Sequence, residues 1–268
     1  MSAPFISVIV PNFNGAKTIV KCLDALHRSP SDNIEIIVVD DCSTDNSVEI
    51  ISGFPCTLIR LDRHSGASRA RNEGAKKATG EALFFIDSDC VITESTLEIA
   101  KNSYRKDYVI GGTYTPLPFD KGFFNTFQSV FINYSETKAA KPDYIATHAM
   151  LINREIFLEN GGFKEDFMPV LEDVEFSHRL KKNGIKLIME PGLKVRHIFG
   201  FSLSKSLKNA FRKSKYWTAY SLKNKDLLGD SGTASIGLKF NSLTWAFLIA
   251  ALMFNILTGK HILFLAIL

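Results

Sequence analysis

Short apolar runs that stop at polar clusters alternate with stretches of helical periodicity through the first ninety or so residues. Ile-Ser-Val-Ile-Val at 6–10 is β-branched and reads as a strand, followed by a Pro11-Asn12-Phe13-Asn14-Gly15 loop. Ile19, Val20, Leu23 and Leu26 then recur at helical spacing from Ala16 to His27, with Asn14 as candidate cap. A second strand at 34–39 ends at Asp40-Asp41. Ser43-Thr44-Asp45-Asn46 supplies capping chemistry for a helix through Ile51, and Thr57–Leu61 is a third strand. Gly66 to Gly74 opens a small-residue helix running to Ala78. The run Ala82–Ile86 is too short for a helix and ends in Asp87-Ser88-Asp89. Strand, helix, strand in this order predicts right-handed parallel crossovers. In open α/β sheets ligands bind beyond the carboxyl ends of the strands, where three polar clusters converge here.

Further along, the pattern predicts a helix from Glu94 to Asn102, a strand at Tyr108–Gly112 and another at Ile145–Ile152. Phe123, Phe124, Phe127, Phe131 and Tyr134 fall at helical spacing, a stripe that fits core or membrane-facing packing better than a substrate platform. Gly161-Gly162-Phe163 is a turn. Glu172-Asp173 opens a helix that stops at Asn183-Gly184, where first-turn acids serve either the macrodipole or a general base. Strands follow at Ile185–Met189 and Leu193–Ile198. The second holds His197, either a hydrogen-bonded structural residue or a neutral imidazole ligand.

The tail differs. Leu203, Leu207, Ala210, Phe211, Trp217 and Tyr220 lie near one helical face and Lys205, Lys208, Arg212, Lys213 and Lys215 cover much of the rest, a pattern suited to an anionic membrane surface. Phe240–Leu257 carries no charge over the length needed to span a bilayer and is a transmembrane candidate. A second apolar run, Ile262–Leu268, makes either a hairpin or re-entrant anchor or the start of a longer membrane protein.

Charge sharpens this division. From residue 200 onward nine Lys or Arg face two Asp, whereas residues 1–199 hold 23 basic and 26 acidic residues. The basic excess sits in the tail, which argues against a nucleic-acid-binding body and for contact with something anionic. Basic residues before Phe240 place the N-terminal part on the cytoplasmic side. Cys22, Cys42, Cys56 and Cys90 form no C-x-x-C pair, so structural zinc is not expected, and no apolar N-terminal segment resembles a signal peptide. G-x-G-x-x-G is absent after the first strand, which excludes a dinucleotide fold of that type. The glycine-rich basic loop of sugar nucleotidyltransferases is absent too.

Alone, Asp87-Ser88-Asp89 reads as a polar turn, or as two acids able to bind a hard cation. Its neighbours point further. Ser7 to Asn14, Val39-Asp40-Asp41-Cys42-Ser43-Thr44-Asp45, Ala70-Arg71-Asn72-Glu73-Gly74, Gly80-Glu81 leading to Asp87-Ser88-Asp89, Gly161-Gly162-Phe163, and Glu172-Asp173 with Arg179-Leu180 resemble, in that order, the inverting family 2 glycosyltransferases of the GT-A fold, over roughly residues 5–200. The resemblance implies an α/β fold, a Rossmann-like nucleotide-binding sheet with a mixed C-terminal sheet, followed by amphipathic and transmembrane helices. The domains would be 1–200 for transfer, 201–235 as a basic interfacial segment and 236–268 as an anchor.

By the same resemblance, Pro11, Asn12, Asn14 and Asp41 would line the donor pocket, Arg71 would approach base or diphosphate, and Asp87 the ribose. Asp89 and His197 would hold Mn²⁺ or Mg²⁺, Mn²⁺ accepting imidazole more readily. Asp173 would act as general base, with Glu172 orienting it or the acceptor. Implied partners are a nucleoside-diphosphate sugar, commonly a UDP-sugar, a lipid or glycan acceptor and the membrane, in keeping with cell-envelope polysaccharide synthesis. Transfer to polyprenyl phosphate and a non-catalytic nucleotide-binding scaffold are the alternatives. Region 113–150 holds no readable acceptor motif; His148 there reads first as core or surface, second as an acceptor contact. Without Q-x-x-R-W, one sugar per encounter is expected.

Overall fold

The structure, a computed structural model, describes residues 4–29, 32–138, 141–167, 170–225 and 236–258. Strands β1 (Ile6–Asn12), β2 (Ile34–Asp40), β3 (Thr57–Arg60) and β4 (Ala82–Phe85) pair in parallel, with α1 (Ile19–Arg28), α2 (Ser47–Ser52) and α3 (Ala67–Lys77) in the crossovers. The inner strands β1, β2 and β4 are mostly apolar because both faces are covered, whereas β3 lies at the sheet edge with Thr57 and Arg60 exposed. Val8, Val10, Val38 and Phe84 pack with Cys22, Leu23 and Leu26 of α1, whereas Ile9, Ile37, Val39 and Phe85 pack with Ala70 and Ala75 of α3. The small residues of α3 have a steric reason. A Cβ on Gly74 would stand 2.6 Å from Ile9 Cγ2.

The second half is mixed. After β5 (Cys90–Ile92) and α4 (Thr96–Ser103) come β6 (Tyr108–Tyr114), α5 (Phe123–Thr137), β7 (Met150–Asn153), α6 (Arg154–Glu159), α7 (Glu172–Lys182) and β8 (Lys186–His197). β7 runs antiparallel to β4 and β6, β8 parallel to β6, and β5 antiparallel to β8. The resulting order is β3-β2-β1-β4-β7-β6-β8-β5. Two expectations need correction. The strand expected over Ile145–Ile152 starts only at Met150, because Thr147–Ala149 form a 3₁₀ turn. The two late strands are one: Glu190-Pro191-Gly192 reads as a turn, but β8 passes through it, and its register against β6 shifts between Gly111 and Thr113.

The aromatic stripe of α5 is divided: Phe131 packs against the core and Phe124 is half-buried, while the other three rings face outward. Phe123, Phe127 and Tyr134 are 75%, 56% and 69% exposed, while Asn125, Ser129, Ile132 and Ser135 are buried. The inward polar groups are satisfied: Ser129 Oγ donates to the Thr115 carbonyl at 2.6 Å, and Asn125 Nδ2 to Asp120 Oδ2 at 2.7 Å.

Helix α8 (Leu203–Asn224) divides its apolar row between two environments. Tyr220 is buried against Leu171 and Val174, and its hydroxyl lies 2.7 Å from His178 Nδ1 on α7. Leu203, Leu207 and Phe211 are exposed. The segment expected to span a bilayer forms α9 (Ile236–Thr258). Among the described residues, however, no helix is long and apolar enough to cross a membrane. The transmembrane expectation for Phe240–Leu257 is therefore not shown among the described residues. Residues 226–235 of the expected interfacial segment and the run at 262–268 lie outside the described residues.

Candidate active site

At the carboxyl ends of β1 and β2, Asn12 and Asp40 are register partners, and Asn12 Nδ2 donates to Asp40 Oδ1 at 2.9 Å. Asp40 also accepts from the Ser43 N–H at 2.9 Å and its hydroxyl at 2.6 Å, so its carboxylate is spent on the turn. Asn14 does not cap α1, which begins only at Ile19. With φ of 52°, Asn14 turns toward the neighbouring loop and accepts from the Thr44 and Asp45 N–H groups. Pro11 and Asn12 are buried, and Asn12 Oδ1 has no hydrogen-bond partner.

Asp41 closes this side. Its buried carboxylate accepts from the Ser65 and Gly66 N–H groups, both at 2.7 Å, and meets His64 Nδ1 at 2.9 Å. The His64 ring stacks on Phe13 at 3.9 Å. Asp41 thereby holds a loop whose aromatic pair offers a flat face beside the strand ends.

Arg71 of α3 is the hub between the two halves. One guanidinium nitrogen donates to Asp87 Oδ1 at 2.7 Å and the other to Glu172 Oε1 at 2.9 Å. Burial alone would raise the Asp87 carboxyl, but the Arg71 charge overrides it and holds Asp87 below the usual range. Asp173 is different. Burial first and Glu172 second push it up to about 7, where a carboxyl can exchange a proton near neutrality.

Asp89 and His197 arise on opposite strands of one ladder. Cys90 pairs with His197 across β5 and β8, which brings His197 Nε2 within 3.4 Å of Asp89 Oδ2. Donor atoms of Asp89, Cys90 and His197 all lie within 4.8 Å of one another. Burial pushes the Cys90 thiol well up, so it stays protonated and Asp89 and His197 are the usable ligands. Asp89 stands deep among protein walls yet keeps 41% of its side-chain surface open; burial first and Asp87 second push it up to about 7. Burial pushes His197 down to about 4 and leaves its Nδ1 without a partner. A neutral imidazole beside a carboxylate whose proton a cation would displace is a donor set that fits a divalent metal.

Apart from His148, whose second reading was an acceptor contact, sequence reasoning missed the wall facing Asp173. A pocket between α5, α7 and α8 is lined by Glu136, His148, Asp173, Lys213 and Trp217 among others. His148 is 7% exposed, stacks on Tyr114 at 4.1 Å, and its Nε2 faces Glu136 Oε2 at 3.4 Å, an ion-pair distance without hydrogen-bond geometry. Burial works to lower the His148 pKa, but Glu136 raises it overall. Lys213, one lysine of several on α8, reaches this pocket, and burial lowers its pKa. Nothing in the sequence separates it from its neighbours.

Residues 7–159 match the profile of glycosyl transferase family 2. An uncharacterized glycosyltransferase of Haemophilus influenzae is 30% identical over 201 residues, covering 69% of this chain and 63% of the relative. Among solved structures, the mannosyltransferase PcManGT from Pyrobaculum calidifontis, in complex with GDP-Man and Mn²⁺, superposes with a TM-score of 0.66 at 21% identity, over 84% of this chain and 65% of that one. TarS 1–349 of S. aureus, in complex with UDP-GlcNAc, does so at 0.55 and 23%, over 74% and 60%. These structures share the curled mixed sheet of the GT-A-like fold. The chain spans less than two thirds of the length of each of these three proteins.

Proposed function

The chain belongs to glycosyl transferase family 2, and from that premise we propose that it moves a sugar from a nucleoside-diphosphate donor, with UDP as the leading nucleotide, to a hydroxyl acceptor with inversion. The observation that carries this reading is the double bridge of Arg71, which ties the Asp87-Ser88-Asp89 turn to Glu172 and so sets Asp173 against the same cleft. Asp173 takes the proton of the acceptor hydroxyl. That oxygen bonds the anomeric carbon as the carbon–phosphate-oxygen bond breaks on the opposite face, and the nucleoside diphosphate leaves. One base suffices for such a displacement. Asp89 and His197 would hold Mn²⁺ or Mg²⁺, which supplies charge stabilisation for the departing diphosphate. Pro11, Asn12 and Asp41, with the Phe13–His64 stack, form the nucleoside side.

The acceptor is lipid-linked and reached at the cytoplasmic face of a membrane. Support comes from the exposed Leu203, Leu207 and Phe211 of α8 beside Lys205, Lys208, Arg212 and Lys215, and from the exposed Phe123, Phe127 and Tyr134 of α5. Aromatic and basic side chains together suit an anionic interface. Residues 1–200 act as the transferase domain, residues 201–235 as the interfacial segment and residues 236–268 as a further attachment to the membrane. One sugar is added per encounter. A donor screen with Mn²⁺, scored by nucleoside diphosphate release with and without membrane lipid extract, tests the proposal; no donor binding by calorimetry would overturn it.

A further inference from the structure

The pocket beside Asp173 says which kind of acceptor enters, on the premise of the transferase reading above. Three observations converge. Its acids are Glu136 and Asp173, and its bases are His148 and Lys213. Its wall includes the rings of Tyr144 and Trp217, whose centroids are 5.8 Å apart. Its buried His148 turns an Nε2 that makes no hydrogen bond toward Glu136 Oε2, 3.4 Å away.

We propose that this pocket seats the ring of a neutral sugar, with Lys213, Glu136 and His148 binding its hydroxyls and Trp217 its apolar face, and that it excludes a phosphate-terminated lipid as the attacking group. A sugar ring offers what these groups need: hydroxyls that both donate to carboxylates and accept from ammonium or imidazole, and a C–H face that packs on an aromatic ring. A phosphate needs surplus positive charge. Here each cation already has a carboxylate in its field, since Asp173 and Glu136 act on Lys213, and Glu136 acts on His148. Behind Asp173, the Arg71 cation is shared by Glu172 and Asp87. A phosphate at this point would meet no surplus positive charge, whereas a neutral hydroxyl beside Asp173 would lose its proton to it.

The assignment also gives α8 a second task. The helix that presents Leu207 and Phe211 outward brings Lys213 and Trp217 inward, so a lipid-carried sugar would be read by the same element that meets the surface.

The test uses the full chain with Trp245→Phe, which leaves Trp217 as the reporter. Methyl glycosides of glucose, galactose, mannose and N-acetylglucosamine are titrated against its fluorescence, and the same glycosides and a polyprenyl phosphate are offered as acceptors with donor and Mn²⁺. At least one glycoside should quench and accept sugar, and the polyprenyl phosphate should not. Lys213→Met and Glu136→Gln should each weaken glycoside binding about tenfold or more, with nucleoside diphosphate affinity by calorimetry within about twofold. Transfer to polyprenyl phosphate, absence of quenching by every glycoside, or unchanged glycoside affinity in both variants would overturn the assignment. Loss of nucleotide binding by the unsubstituted protein would instead remove the transferase reading, while quenching still reports on the pocket.

Discussion

Arg71 Nη1 donates to Glu172 Oε1 at 2.9 Å across 101 positions of chain. With its other nitrogen on Asp87, this guanidinium is nearly buried and compensates two carboxylates at once. Arg71→Met should therefore lower unfolding free energy by about 2–4 kcal/mol in denaturant titration. The partly open side of Asp87 keeps the effect below that of a sealed pair. The same variant should lose nucleoside diphosphate affinity in calorimetry.

Asp173→Asn should retain donor binding and lower transfer by about 10²–10⁴-fold. Normal transfer by that variant would rule out the general-base role. In the unsubstituted protein the rate should rise with pH through about 7, as the carboxyl that burial and Glu172 push up to that value gives up its proton.

The same shift has a sign for stability. A carboxyl whose folded pKa is raised binds its proton more tightly folded than unfolded, so stability falls as pH rises from the unfolded value of about 3.9 to about 7 and is level beyond. Asp173→Asn should flatten part of that fall, as measured by melting curves at pH 5 and pH 8.

Asp87 and Asp89 should separate by function. Asp89→Ala and His197→Ala should each remove metal-dependent binding in a Mn²⁺ titration, and a chelator should mimic them in the unsubstituted protein. Asp87→Ala should mainly weaken donor affinity, because its carboxylate faces Arg71. Equal loss of metal response in all three would show that division to be wrong.

Gly112→Ala tests the packing of the late strands. A Cβ there would stand 2.3 Å from the Leu193 carbonyl oxygen and 2.9 Å from Ala149 Cβ. Backbone must move, so destabilisation of about 1–3 kcal/mol or more is expected, visible as a lower melting temperature.

The parallel half was legible because its strands are buried on both faces and its polar clusters fall at their ends. Later elements were less so, for identifiable reasons. Glu190-Pro191-Gly192 carries turn chemistry but sits in a strand whose partner absorbs the irregularity. The α5 aromatics show the right period without showing the side, and Asn125 and Ser129 won the interior through hydrogen bonds that composition cannot reveal. Asp89 and His197 could be paired only through a family resemblance, because nothing local links them. Glu136 and Lys213 carried no signal: each is one charged residue among many until α5 and α8 bring them to one pocket.

The register that places Cys90 opposite His197 has a temporal side. Ribosomes deliver β5 long before β8, so a nascent chain can close its nucleoside side while the second cation ligand is still unmade. The strand that completes the pair is followed at once by α8, the element that brings Lys213 to the pocket. On the proposed roles, the cation ligand pair and the acceptor pocket are completed together in the last stretch of synthesis, and a translation product halted before residue 197 would lack one of the two proposed cation ligands.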